Sequence, residues 1–225
     1  MPLPLSHEGL QRLAAHSTPT VCNAIEEFAV RPRHHGFMGP EVRCIFPEFG
    51  RSMVGYAATL RITADEPRGP TRGPSRPAFW DYVLSVPAPR VVVVQDLDAA
   101  PLGAYWGEVQ ANVHRALGCV GTVTNGGVRD IDEVRALGFH CFASCLLVSH
   151  AYVRIVDFGG PVHVGGLDVC SGDLIHGDPH GVTSVPEAVA ARIDEVVATV
   201  AQRERRIIDA CQAEPFDLER LKALF

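Results

Sequence analysis

Apolar residues along the chain follow patterns that change with position. Across residues 9–30 they recur at helical spacing, with Val21, Ile25 and Phe28 on one face. The pair Thr18-Pro19 breaks this stretch into two short helices, and Ser17 or Thr18 is available as a cap. Residues 53–62 read as a strand. Residues 90–95 carry four consecutive valines, a run typical of a strand buried on both faces. Residues 106–117 are amphipathic and stop at Gly118, and residues 119–124 form a β-branched strand that runs into the turn Asn125-Gly126-Gly127. A helix then runs from near Asp130 to Gly138, and residues 139–143 resume as a strand. The result is a β-α-β-α-β series with short connections over residues 91–143, which predicts an α/β fold.

The flanking regions differ. Residues 36–50 are turn-rich, and residues 67–77 (PRGPTRGPSRP) cannot hold a regular element, so a loop is expected there. Residues 78–86 suit a short helix. In the second half, residues 161–164, 167–169 and 182–185 are short strands between Gly-Gly, Gly-Asp and Asp-Pro turns, a compact β layer. Pro186 opens a long helix to about residue 213, and Pro215 starts a last short one. No internal repeat occurs, and a length of 225 residues fits a single domain over 1–225.

Composition narrows the class. With 47% apolar and 20% charged residues the chain has the make-up of a globular protein, which excludes disordered and fibrous classes. A net charge of −6 argues against a nucleic-acid partner, which leaves a basic footprint. The seven cysteines are scattered, odd in number and free of Cys-x-x-Cys pairs, so a reducing cytoplasm is the expected setting. No signal peptide and no membrane-spanning run is read, so no membrane association is expected.

Candidate chemistry gathers where predicted strands end. Arg129 offers a planar fork for a carboxylate, and Asp130 offers hard oxygens to a divalent cation. The glycines before them let backbone approach a ligand. Asp130-x-x-Glu133 also reads as a capping box, the reading local sequence favours, with Asp130 as the cap and its other oxygen still free to meet a metal. Upstream, Gly103-Ala104-Tyr105-Trp106-Gly107-Glu108 is a second turn into a helix, so two helix N-termini are expected at one cleft, where their free N–H groups favour an anion. Glu108 is a candidate acid, though a first-turn glutamate also suits the helix dipole.

Glu108, twenty intervening residues, then Arg129-Asp130-x-x-Glu133 resembles the signature of the 4-hydroxy-4-methyl-2-oxoglutarate/4-carboxy-4-hydroxy-2-oxoadipate aldolases. That broad family also includes the regulator of ribonuclease E activity A. Residues 161–167 (PVHVGGL) and 172–182 (GDLIHGDPHGV) resemble its second-half pattern, and the likeness runs from about Thr18 to the C-terminal helix. The resemblance implies a swivelling β/β/α domain with a long C-terminal helix, assembled as a homotrimer or homohexamer. It implies a Mg²⁺ or Mn²⁺ site between subunits, with Asp130 as direct ligand and Glu108 holding the metal through water. Arg129 would bind the 2-oxo acid and stabilise its enolate, and backbone N–H groups around Gly107, Val109 and Gln110 would receive the substrate carboxylate. Glu133 and Glu204 are weaker candidates. The resemblance puts an acidic residue of a neighbouring subunit near the metal, whereas a salt bridge from Glu204 to Arg203 or Arg205 is the competing reading. Asn23 stands where family members often carry an acidic residue.

The implied activity is cleavage of a 4-hydroxy-2-oxo acid to pyruvate, with oxaloacetate decarboxylation through the same enolate. The alternative is a non-catalytic oligomer that binds and regulates a ribonuclease. Regulators of that kind tend to lose the aspartate after the arginine, which is present here as Asp130. Other motifs are weaker. His176, Asp178 and His180 read as a polar turn, since Gly177 and Pro179 exclude a helical His-x-x-x-His pair. His34, His35 and His150 have no partner at a recognisable spacing. Ser144 and Ser149 lack a nucleophile elbow, and no nucleotide-binding glycine turn occurs.

Overall fold

The computed structural model describes residues 5–64 and 73–225. The expected loop at residues 67–77 therefore lies outside the described residues as far as residue 72. Two short helices open the fold, α1 (His7–Leu13) and α2 (Thr18–Glu27), each capped by a serine: Ser6 accepts from Gly9 N–H and Ser17 from Thr20 N–H. Then follow β1 (Arg43–Cys44), β2 (Met53–Thr63), α3 (Arg76–Ser85), β3 (Arg90–Asp96), α4 (Glu108–Ala116), β4 (Cys119–Thr124), β5 (Gly127–Val128), α5 (Ile131–Ala136), β6 (His140–Ala143) and β7 (Cys145–Leu146). The second half adds β8 (Arg154–Phe158), β9 (Val162–Val164), β10 (Leu167–Val169), β11 (Leu174–Asp178), β12 (Gly181–Val185), α6 (Glu187–Ala190), α7 (Ile193–Gln212) and α8 (Leu218–Lys222).

The main sheet runs β1-β6-β4-β3-β2-β11-β12, with β8 also on β2. Strands β2, β3, β4 and β6 are mutually parallel, while β1, β8, β11 and β12 join antiparallel. Strand β2 is long enough to pair with β11 along its first residues and with β8 along its last. Alternation along β3 divides the core in two. Val92 and Val94 face the helices with Leu60, Phe79, Ala111 and Ile193, and Val91 and Val93 face the β9–β10 hairpin with Val164 and Val169. All four valines are buried on a sheet covered on both faces, each contributing roughly 1.5–3 kcal/mol by burial. This is the mixed α/β arrangement implied by the resemblance, with the long helix α7 near the C-terminus. No helix among the described residues is long and apolar enough to cross a membrane.

Several expectations need correction. Residues 174–178 are a strand, so His176 and Asp178 are not in a polar turn. His176 is buried, with Nδ1 3.0 Å from Thr18 Oγ1 and Nε2 3.2 Å from Leu13 O, and Asp178 accepts the Thr18 N–H at 2.8 Å. These buried polar groups dock the α1–α2 junction onto the sheet. The helix expected from Pro186 breaks at Ala191 and Arg192, giving α6 and α7. Strand β8, absent from the sequence reading, pairs with β2 over the end nearest the cleft described below.

Candidate active site

The parallel strands β3 and β4 end side by side, and the turn after β4 fastens the two ends together. The Asn125 side chain accepts from Asp96 N–H and donates to Asp96 O, both at 2.8 Å, a two-point clamp between strand ends. Ser144 Oγ donates to Asn125 O at 2.8 Å from the end of β6. A Cβ on Gly126 would come within 2.8 Å of Asp96 Oδ2, so any larger residue there would have to displace the Asp96 side chain.

Two chain segments then meet. Trp106 forms a parallel bridge to Val128, and Arg129 N–H donates to Trp106 O at 3.1 Å, which lays residues 106–108 alongside 128–130. Asp130 precedes α5 in a left-handed conformation (φ 55°, ψ 51°) and makes no side-chain cap bond to its own helix. The expected capping box therefore does not form. The carboxylate turns away and Oδ2 accepts the Glu108 N–H at 2.9 Å, so Asp130 caps α4 instead of α5. Gly107 makes this approach possible: a Cβ there would run into Asp130 Oδ2 and lie 3.0 Å from Arg129 Cγ.

Arg129 and Asp130 line one open cleft of about 840 Å³ with Gly107, Val109 and Gln110. Their side chains are 35% and 34% exposed, and Arg129 Nε lies 3.7 Å from Asp130 Oδ2, an ion pair beyond hydrogen-bonding distance. Among the described residues the Arg129 guanidinium donates no side-chain hydrogen bond, which leaves its fork for a ligand. Gln110 is buried, and among the described residues its Oε1 has no hydrogen-bond partner. Glu108 is exposed at the first position of α4, and its backbone rather than its carboxylate touches Asp130. Asp130 is the carboxylate that lines the cleft among the described residues, and the Glu108 side chain is not part of the lining. Among the described residues no three His, Cys, Asp or Glu side chains converge as a ligand cluster.

The structure adds Arg76, Tyr105, His150 and Tyr152 to the cleft, none of which the sequence reading selected. Arg76 opens α3 at the edge of the Pro/Gly/Arg stretch. Tyr105 is buried, and burial pushes its phenol up to about 12 although the charge of Arg76 opposes the shift. His150 sits in the loop after β7, where Ser149 O accepts the Ala104 N–H at 2.9 Å and Ala151 has a positive φ of 43°. No spacing pattern announces such loop residues. Glu133 lies exposed on α5 outside the cleft lining. Glu204, on α7, accepts from Asn23 Nδ2 at 3.3 Å, and the expected bridge to Arg203 or Arg205 is absent: Arg203 pairs with Glu27 and Arg205 with Asp209.

Fold and cleft together define an α/β protein with an Arg-Asp pair beside the carboxyl ends of parallel strands. Residues 18–184 match the RraA-like family model described as Aldolase/RraA, and the chain belongs to that family. A relative from Halalkalibacterium halodurans, named "Putative 4-hydroxy-4-methyl-2-oxoglutarate aldolase", is 31% identical over 60% of this chain and 66% of its own length. Protein DlpA of Legionella pneumophila is 26% identical over 70% of this chain. The matched region spans just under two thirds of the first relative and 25% of the second. Among solved structures, Streptomyces coelicolor RraAS2, described as an unusual member of the RNase ES inhibitor RraA protein family, superposes with a TM-score of 0.67 at 24% identity, over 91% of this chain and 96% of its own. A chain from the crystal structure of novel cellulases from microbes associated with the gut ecosystem gives 0.76 at 19% identity, over 92% and 90%. These structural likenesses concern the fold.

Proposed function

We propose that this protein is a divalent-metal-dependent carbon–carbon lyase that cleaves a 4-hydroxy-2-oxo acid, such as 4-hydroxy-4-methyl-2-oxoglutarate, to pyruvate, and that it also decarboxylates oxaloacetate. The observation that carries the reading is Asp130. A carboxylate is held by the start of α4 through one oxygen, beside a guanidinium with no side-chain hydrogen bond among the described residues. The donor chemistry suits Mg²⁺ or Mn²⁺, hard cations that keep several waters and need only one or two carboxylates from the protein. Asp130 would be the direct ligand, and Glu108, one position beyond Gly107 on α4, would hold the cation through water. When bound, such a cation supplies Lewis acidity at the 2-oxo group.

The chain's own residues supply position and charge. Arg129 pairs its fork with the 2-oxo acid and meets the negative charge that develops on the enolate oxygen. The N–H groups of Val109 and Gln110, in the first turn of α4, receive the substrate carboxylate. In the cleavage step the C4 hydroxyl loses its proton to a base and its C–O becomes a carbonyl. The C3–C4 electron pair passes into the pyruvate enolate, which then takes a proton at C3. Oxaloacetate loses CO₂ to give the same enolate. A homotrimer or homohexamer of this chain, with the site between subunits, is part of the proposal.

The test is pyruvate release from oxaloacetate and from 4-hydroxy-4-methyl-2-oxoglutarate, with Mg²⁺, with Mn²⁺ and with a chelator. Release from both substrates that the chelator abolishes is expected. Absence of metal-dependent release from either would favour the second reading, a ribonuclease-binding regulator, which the RraA-type structural likeness supports.

A further inference from the structure

A second cleft, of about 660 Å³, opens at the opposite end of the parallel strands. It is lined by the first residues of β2, β4 and β6, whereas the Arg129 cleft follows the ends of β3 and β4. Its volume lies within the range of small-molecule sites. In a chain of net charge −6, no acidic side chain among the described residues lines it, and the charged side chains among them that do are Arg51 and Arg115. Among the described residues neither guanidinium makes an ion pair or a side-chain hydrogen bond, while Arg12, Arg61, Arg135 and Arg203 each hold a carboxylate.

We propose that this cleft binds a small organic oxyanion, its carboxylate or phosphate head between Arg51 and Arg115 and its flat or apolar body against Phe49 and His140. Guanidinium forks match both head groups bidentately. Phe49 and His140 pack edge to face with ring centres 5.1 Å apart, and both rings line the cleft. Burial, helped by the charge of Arg51, lowers the His140 imidazole to about 4, so at neutral pH it is an uncharged hydrogen-bonding group beside the cations. The C-terminal ends of α4 and α5, at Gly118 and Gly138, bring about half a negative charge each. Two full guanidinium charges outweigh them and leave the cleft positive. Placement at the far end of the same strands makes the site separate from the Arg129 cleft.

Titration calorimetry on the full chain with phenyl phosphate, benzoate and phenol tests this, performed on the wild type and on Arg129→Gln, which silences the other cleft. At least one of the two anions should bind with unit stoichiometry in both backgrounds, and which one binds more tightly identifies the head group. Phenol should bind at least tenfold more weakly. Arg51→Gln and Arg115→Gln should each weaken the anion at least tenfold with an unchanged melting temperature. The proposal is overturned if neither anion binds at millimolar concentration, if phenol binds equally well, or if binding is lost in Arg129→Gln. It also fails if Arg115→Gln lowers only the melting temperature, which would leave Arg115 as a partner of the α4 dipole alone.

Discussion

The side chain of Asp130 meets two demands that compete for its geometry. It must sit at a left-handed backbone position, which costs most L-residues roughly 1–2 kcal/mol and is tolerated by Asp and Asn, and it must reach back to the Glu108 N–H. The sequence suggested a local cap because Asp and Glu stand at capping-box spacing. What it lacked was the backbone angle, which turns the carboxylate across the cleft to another helix. Arg129, by contrast, stands out in the sequence as a candidate ligand fork because it follows a glycine turn, and the structure puts it in the cleft with no side-chain hydrogen bond among the described residues. Its fork sets the first expected outcome. Arg129→Lys keeps the charge but loses bidentate geometry, so pyruvate formation should fall at least a hundredfold, with a raised KM for oxaloacetate. Wild-type kinetics in this variant would remove Arg129 from the chemistry.

Elements bring these residues together, and Gly107 is the contact point between two of them. Its φ of −166° is open to any residue, so the need for glycine comes from the nearness of Asp130 rather than from backbone strain. Gly107→Ala should therefore leave the fold intact and displace the Asp130 carboxylate. Mn²⁺ affinity measured by titration should drop at least tenfold, with the melting temperature within a few degrees of wild type. Unchanged affinity would show that the α4–Asp130 contact does not shape the site. The elements of the β-α-β-α-β series were readable because period and punctuation agree there, with valine runs, then an amphipathic stretch, then a glycine stop. Strand β11 was hidden because Gly177, Asp178 and Pro179 mimic a turn, and because all five of its residues are buried between β2 and β12, polar ones included, so no alternation marks it. The break between α6 and α7, at Ala191 and Arg192, is marked by no glycine or proline.

Across the whole molecule, three histidines are folded into places that keep them neutral. Burial lowers His114, His140 and His176 each to about 4; Gln110 O opposes the shift at His114, Arg51 adds to it at His140, and Leu13 O opposes it at His176. Unfolded imidazoles take up protons near 6.5. Between pH 6.5 and 4 the unfolded chain therefore binds more protons, and stability falls as pH falls, at about 1.4 kcal/mol per pH unit for each group. The stability contributed is fully present above pH 6.5. Asp178 and Asp194 extend the same trend to lower pH. Burial alone would raise both carboxyls, but hydrogen bonds from Thr18 and His180 to Asp178, and from His16 and Arg12 to Asp194, bring them below the usual range. Melting temperature should thus decline steadily from pH 6.5 downward, and a flat profile to pH 4.5 would contradict the buried neutral histidines. The sequence could not disclose them, because His176 is buried only by the docking of α1 and α2, residues 158 and more positions away.

The proposed role of Asp130 as the cation's ligand in the lyase reaction predicts a clear outcome for Mn²⁺ titration of Asp130→Asn beside wild type. Asn tolerates the left-handed position and still accepts from Glu108 N–H, so stability should change by no more than about 1 kcal/mol. Removing the charge should weaken Mn²⁺ binding at least a hundredfold and abolish pyruvate release. A folded Asn variant with wild-type Mn²⁺ affinity would contradict the account.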